Sequence, residues 1–145
     1  MVKAIIVEDE ISAQNQLTKL LTINYSEKIE VIAITTGVKK AIKLINNLNP
    51  HLIFLDILLE DGEGFEILDK VDNSNFEVIF TTGSRNHKEK AMAYFAFYYL
   101  NKPLVEEKFI KTVNTFLDKK TSFDLEKYLA FKNQIDSSQK RISVP

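Results

Sequence analysis

The sequence has no cysteine, almost no net charge and no long apolar run. Without cysteine there are no disulfides that would require an oxidising compartment. A formal charge of −1 gives no electrostatic reason to expect direct binding to nucleic acid. No apolar run approaches the length that spans a bilayer, and the N-terminal run AIIV ends at once in acidic residues, unlike a signal peptide. We therefore expect a cytoplasmic protein that does not enter membranes.

What is present is enough apolar sequence for one domain. The chain has 145 residues, and 45% of them are apolar. This length can bury one core and leaves little room for a second. We expect a domain over residues 1–120, followed by a C-terminal segment over residues 121–145.

Five short β-rich segments alternate with helical patterns along most of the chain. The predicted strands are residues 2–7, 30–34, 51–56, 77–82 and 98–102. Apolar residues at spacings of three and four predict a helix after each strand. The clearest sets are Val38, Ala41, Ile42, Ile45 and Leu48, and Phe109, Ile110, Val113, Phe116 and Leu117. This order predicts an α/β fold with a doubly wound, five-stranded parallel sheet of the flavodoxin-like type.

Charged and hydroxyl side chains stand where the predicted strands end. Glu8 and Asp9 follow the first strand, Asp56 ends the third, Thr81 and Thr82 end the fourth, and Lys102 ends the fifth. Ligands of such sheets bind at this edge. Two like charges about 4 Å apart repel by roughly 4 kcal/mol at an effective dielectric of about 20, so the carboxylates require a cation.

Oxygen ligands without thiol or imidazole favour Mg²⁺ at this edge. Lys102 and Thr82 add a cation and a hydroxyl where a transferred phosphoryl group would accumulate charge. Asp56 is therefore the predicted nucleophile.

In this order, the motifs resemble the receiver domain of two-component response regulators, over residues 1 to about 120. The motifs are the acidic pair, the Asp56 loop D-I-x-L-x-x-x-x-G-F-E, Thr82 followed by a small residue, and Tyr99 three residues before Lys102-Pro103. Glu60 departs from the family pattern, because a proline usually stiffens the loop at that position.

The resemblance implies a role for each site residue. Asp56 would be the phosphorylation site, and Asp9 a direct Mg²⁺ ligand. Glu8 would bind Mg²⁺ through water, and Leu58 through its main-chain carbonyl. Thr82 and Lys102 would hold the phosphoryl oxygens, and Tyr99 would turn inward with Thr82 as a switch. The Lys102-Pro103 peptide bond is expected to be cis.

The same resemblance implies the partners. A histidine kinase or a phosphotransfer protein would supply the phosphoryl group, and the face of helix four, strand five and helix five would carry dimerisation and output. The protein would not be an enzyme, beyond catalysing its own phosphorylation and dephosphorylation.

Other readings of these residues remain open. Asp9 with Ser12 could simply begin the first helix, and Tyr99 could simply pack. An interaction domain of this fold that works without phosphate is one alternative function. A metal-dependent phosphatase with an Asp nucleophile is a weaker one, because such enzymes want a second Asp where Leu58 stands. The acidic run EDE disfavours a flavodoxin-like cofactor site, since it repels phosphate.

The segment over residues 121–145 fits no further strand and helix pair. A linker or an extension of the fifth helix is the simplest account. Its last residues, KRISVP, resemble the first strand of the LytTR-type DNA-binding domain. We expect the receiver half of a longer transcriptional regulator, which would contact DNA only through that further domain; a stand-alone receiver is the alternative.

Overall fold

A computed structural model of the protein describes residues 1–72, 75–83, 90–91 and 98–119. In chain order, the elements are β1 Val2–Val7, α1 Ile11–Tyr25, β2 Ile29–Thr35, α2 Val38–Leu48, β3 Leu52–Leu55, β4 Leu58–Leu59, β5 Gly62–Glu63, α3 Gly64–Lys70, β6 Glu77–Thr82 and β7 Tyr98–Asn101. Residues 90–91 and 106–119 are also helical. None of the helices in these ranges is long and apolar enough to cross a bilayer.

The five long strands form one parallel sheet in the order β2, β1, β3, β6, β7. The predicted strands are confirmed, with ends that differ by no more than one residue. Strand order reverses between β1 and β3, so the chain winds outward from the middle of the sheet in both directions. This reversal opens a crevice at the carboxyl ends of β1 and β3, where ligands of such sheets bind.

The two faces of the sheet bury different side chains, because neighbouring residues of a strand point to opposite sides. On one face, β1, β3 and β6 pack against α2 and α3. The buried strand residues of this cluster are Ile5, Val7, Ile53, Leu55, Val78 and Phe80. On the other face, the Phe109 ring stacks on Phe54 at 5.9 Å and meets Tyr25 of α1 edge-on at 6.4 Å.

Helical periodicity predicted most buried positions correctly. Leu17, Leu20 and Leu21 of α1 and Val38, Ala41 and Ile45 of α2 are buried. Leu48 is an exception, since it is the last residue of α2 and is 38% exposed. Of the predicted fourth helix, only residues 90–91 lie in the described part of the chain.

The chain divides into two units, Met1–Phe109 and Ile110–Pro145. The second unit is described only over residues 110–119, which are helical, with Val113 and Phe116 buried. The predicted linker and the KRISVP strand at residues 121–145 lie outside the described residues.

We expect Phe54→Ala to lower the free energy of unfolding by about 3–5 kcal/mol, because the ring is fully buried and its removal leaves a cavity beside Phe109. Urea denaturation followed by far-UV circular dichroism measures the loss. Ile34→Ala is the control, because this residue of the edge strand β2 is 43% exposed. Its effect should stay below about 1 kcal/mol; an equal loss in both variants would contradict the expectation.

Candidate functional site

The pairing of β1 with β3 brings two acidic side chains together. Val7 is the register partner of Leu55, and the Asp56 N–H donates to the Val7 carbonyl at 3.0 Å. The next residue of β1 is Glu8, so Glu8 and Asp56 leave the sheet side by side. Both are buried, Glu8 completely and Asp56 with 4% of its surface exposed.

Lys102 reaches this acidic pair from β7. That strand lies two positions from β3, about 10 Å away at the usual strand spacing, so a long side chain is needed. The Lys102 N–H donates to the Thr82 carbonyl at 2.9 Å, which ties its backbone to the end of β6. Its Nζ lies 2.9 Å from Asp56 Oδ2 and 2.5 Å from Glu8 Oε1. The Lys102-Pro103 peptide bond is cis, as predicted.

Three carboxylates contact the Lys102 ammonium, and a fourth, that of Asp9, lies close to those three. Oxygens of Glu8, Asp9, Glu10 and Asp56 all lie within 4.8 Å of one another. Glu10 also approaches Lys102 Nζ at 3.3 Å, although sequence reasoning did not include it in the site. The uninterrupted run EDE was the available signal, because a third acid directly after the predicted pair stays near the same strand end.

This donor set fits a hard divalent cation. Its members are carboxylate oxygens, which Mg²⁺ prefers over nitrogen and sulfur ligands. Glu8 Oε1 is buried and makes no hydrogen bond of regular geometry within the described residues, so it has capacity for a further cation. The structure therefore brings together Glu8, Asp9 and Asp56, whose carboxylates are predicted to hold Mg²⁺, and it adds Glu10 nearby.

Burial and charge shift the pKa values of the central pair. Burial, aided by the neighbouring Asp56, raises the pKa of Glu8 from 4.5 to about 7, although Lys102 acts against the rise. Burial lowers the pKa of Lys102, but its contacts with Glu8 and Asp56 outweigh this and raise that pKa above its usual range. Lys102 is therefore a permanent cation at neutral pH.

Thr82 and Tyr99, the predicted switch residues, belong to the neighbouring strands β6 and β7. Thr82 is buried at the end of β6. The Tyr99 ring centroid lies 6.5 Å from that of Phe80, and Tyr99 packs against the core cluster. Burial and the charge of Asp56 raise the pKa of Tyr99. Tyr99 is therefore half-buried within electrostatic range of Asp56.

At Gly64 the backbone packs closely against the backbone of Asp56 and Ile57. The Gly64 N–H donates to the Ile57 carbonyl at 2.7 Å, and a Cβ at position 64 would clash with the Asp56 carbonyl oxygen. Leu58, whose main-chain carbonyl is the predicted metal ligand, begins β4 and is 54% exposed. A Cβ at Gly83, beyond Thr82, would meet nothing within 4 Å.

The simpler reading of Asp9 as a helix cap is wrong. The N-cap residue of α1 is Glu10, and its side chain makes no capping hydrogen bond. The Glu10 N–H instead donates to Glu8 Oε2 at 3.2 Å. The acids of the EDE run are therefore directed to the site and to one another.

Comparison with known proteins finds a matching family profile and longer relatives of similar sequence. The sequence profile of the response regulator receiver domain matches residues 4–114. The sensory transduction protein LytT of Bacillus cereus is 31% identical over 125 residues, which are 84% of this chain and 50% of LytT. The transcriptional regulatory protein BtsR of Salmonella typhi is 30% identical over 126 residues, 86% of this chain and 52% of BtsR.

A solved structure gives the same result for the fold. The response regulatory domain of protein mrkE from Klebsiella pneumoniae superposes with a TM-score of 0.75 at 25% identity, and the match covers 81% of this chain and 96% of that one. The chain spans about half the length of the curated relatives it matches.

We expect the stability of the protein in EDTA to fall as pH rises from about 4.5 to about 7. Between these values the folded state holds a proton on Glu8 that the unfolded chain releases, so the folded state binds more protons and loses stability with rising pH. Urea unfolding across this range should show the fall, and Glu8→Gln should remove that part of it. Glu27→Gln, in the exposed turn after α1, should keep the wild-type slope. A wild-type slope in Glu8→Gln would exclude Glu8 as its source.

Proposed function

Because the chain belongs to the response regulator receiver domain family, we propose that it is a phosphorylation switch with Asp56 as phosphoacceptor. The observation that carries the proposal is the contact of Lys102 Nζ with Asp56 Oδ2 at 2.9 Å, inside a group of four carboxylates. It pairs a nucleophilic carboxylate with a fixed cation at the edge of the sheet where a phosphoryl donor can approach.

The proposed reaction is in-line transfer from a phosphohistidine of a histidine kinase or a phosphotransfer protein. An Asp56 carboxylate oxygen attacks phosphorus, the phosphorus–oxygen bond forms, and the phosphorus–nitrogen bond breaks with its electron pair returning to the imidazole. Lys102 balances charge on the phosphoryl oxygens, and the Thr82 hydroxyl donates a hydrogen bond to one of them.

Mg²⁺ held by Asp9, Asp56 and the Leu58 carbonyl, and by Glu8 through water, would supply further positive charge to the phosphoryl oxygens. The complete burial of Glu8 within the group of four carboxylates supports this ligand set, because Lys102, which contacts it, carries a single positive charge. Glu10, with its carboxylate in the same group, adds to the negative potential that attracts the ion.

The chemistry ends with hydrolysis of the acyl phosphate rather than turnover of outside substrates. A phosphatase with an Asp nucleophile needs a proton donor two residues further on, and that residue is Leu58, which cannot donate a proton. The protein is therefore proposed to be a signalling domain that catalyses only its own phosphorylation and dephosphorylation. A phosphate-independent interaction domain is the reading that remains if the labelling experiment below fails.

The signal is proposed to leave the site through Thr82 and Tyr99. The register of β6 with β7 pairs Phe80 with Tyr99 and Thr82 with Asn101, so the two switch residues lie on adjacent strands. A Thr82 hydroxyl drawn toward the phosphoryl group frees space toward β7, and Tyr99 turns into it. The two states bias the face formed by the predicted fourth helix, β7 and the predicted fifth helix for dimerisation or output.

The likeness to LytT and BtsR, each about twice as long as the matched region, supports a wider assignment. We propose that this receiver works in the cytoplasm and controls a DNA-binding output domain of the LytTR type. The segment over residues 121–145 is the proposed connection.

Acetyl phosphate with Mg²⁺ should add one phosphoryl group to the protein, as intact-mass spectrometry would detect. Asp56→Asn should abolish the label, because an amide is not a nucleophile here, and omission of Mg²⁺ should prevent it. Asp69→Asn is the matched control: it removes an exposed acid of α3 and should label like the wild type. Undiminished labelling of Asp56→Asn would overturn the assignment.

The wider assignment is checked by reading the gene. An in-frame continuation of about a hundred strand-rich residues after position 145 would support the proposed output domain. A stop codon directly after Pro145 would exclude that output domain and leave the phosphorylation switch untouched.

A further inference from the structure

The loop that follows Asp56 is a small hairpin. Its strands β4 and β5 pair antiparallel, Leu58 with Glu63 and Leu59 with Gly62, so Glu60 and Asp61 form the turn. At its base, the Gly64 N–H donates to the Ile57 carbonyl at 2.7 Å. The sequence did not predict this hairpin, which gives the loop a defined shape between the phosphoacceptor and α3.

Asp61 at the tip of the hairpin caps a different element, the helix α2. Its Oδ1 accepts from the Val38 N–H at 2.6 Å, and its Oδ2 accepts from the Lys39 N–H at 3.3 Å. These are the first two residues of α2, whose own N-cap residue, Gly37, has no side chain to offer. The hydrogen bond from Val38 is the main reason that the pKa of Asp61 is lowered. A carboxylate at a helix N-terminus also meets the positive end of the helix dipole.

Gly37 provides the room for this contact. Its φ of −147° is ordinary extended backbone, so conformational freedom does not explain the glycine. A Cβ at position 37 would lie 2.8 Å from Asp61 Oδ1, which is too close for the cap to form unchanged. A second contact reinforces the first, because the Thr36 hydroxyl donates to Glu60 Oε1 at 2.8 Å. Both turn residues of the hairpin are thus held, Asp61 by the first turn of α2 and Glu60 by Thr36 just before that helix.

We propose that Asp61 is a positioning residue for the Asp56 site: its cap on α2 fixes the hairpin and so places the main-chain carbonyl of Leu58. The inference rests on the proposed function, in which that carbonyl is a metal ligand. Glu60 stands where a proline usually stiffens this loop in the resembled family. In this chain, the attachment of the hairpin tip to α2 supplies the stiffness that the missing proline would give.

Three substitutions distinguish the effect of the Asp61 helix cap from the effect of the Asp61 negative charge. Asp61→Ala removes both, Asp61→Asn removes the charge but keeps an acceptor for the Val38 N–H, and Gly37→Ala keeps the charge but displaces the cap. Glu27→Ala, in an exposed turn, controls for the loss of one negative charge elsewhere. Calorimetric titration measures Mg²⁺ affinity, and amide hydrogen exchange by NMR in EDTA measures the order of the hairpin, with the Gly64 N–H as probe.

We expect Asp61→Ala and Gly37→Ala to weaken Mg²⁺ binding about tenfold, as substitutions behind a metal ligand commonly do. Both should also speed exchange of the Gly64 amide about fivefold, because the hairpin opens more often once the cap is lost. Asp61→Asn and Glu27→Ala should stay within about twofold of the wild type, well short of both effects.

Two results would overturn the inference. In the first, Asp61→Ala and Gly37→Ala speed exchange only at Val38 and Lys39, with Gly64 and Mg²⁺ affinity unchanged, so that Asp61 merely caps a helix. In the second, Asp61→Asn equals Asp61→Ala while Gly37→Ala equals the wild type, so that only charge matters. If the wild type binds no Mg²⁺, the proposed function fails instead, and the exchange measurements alone decide whether Asp61 orders the hairpin.

Discussion

One ammonium among four carboxylates is the constraint on which the site depends. Parallel strands end at the same edge, so acids that follow β1 and β3 cannot avoid each other once the sheet forms. Glu8 is fully buried, and a buried carboxylate without a cation or a proton is costly. Lys102 meets part of that need at 2.5 Å, while burial still raises the pKa of Glu8 against the effect of this contact.

The glycines of this sequence are also found near the carboxyl edge of the sheet. There are four, Gly37, Gly62, Gly64 and Gly83, and each follows a strand of the sheet at its carboxyl end. Gly64 lets the chain close on the Asp56 carbonyl, and Gly37 lets Asp61 reach α2. Gly62 has a φ of 154°, a conformation that a side chain would strain. The close contacts made at Gly37, Gly62 and Gly64 are therefore concentrated around the loop that follows Asp56.

Local patterns in the sequence were sufficient to predict the sheet and most of the residues of the site. Alternation of strand and helix periods predicted all five strands, and the rule that parallel strands end together predicted that Glu8, Asp56 and Lys102 form one group. The hydrogen bond by which Asp61 caps α2 at Val38 could not be predicted in this way, because it joins residues 23 positions apart that belong to no common strand or helix pattern. The hairpin was missed for a related reason: strands of two residues are too short to show alternation.

The proposed function follows from the charge balance rather than from the acids alone. Phosphorylation of Asp56 would replace a singly charged carboxylate by a group with about one further negative charge. The Lys102 ammonium, now shared by Glu8 and Asp56, would be drawn toward the phosphoryl oxygens and away from Glu8. Glu8 is buried, and loss of the Lys102 contact beside a more negative group would raise its pKa further, so it must then be protonated or face another cation. A second cation at this edge would keep Glu8 ionised in the proposed phosphorylated state, and a displacement of Lys102 would act on β7, the strand that carries Tyr99.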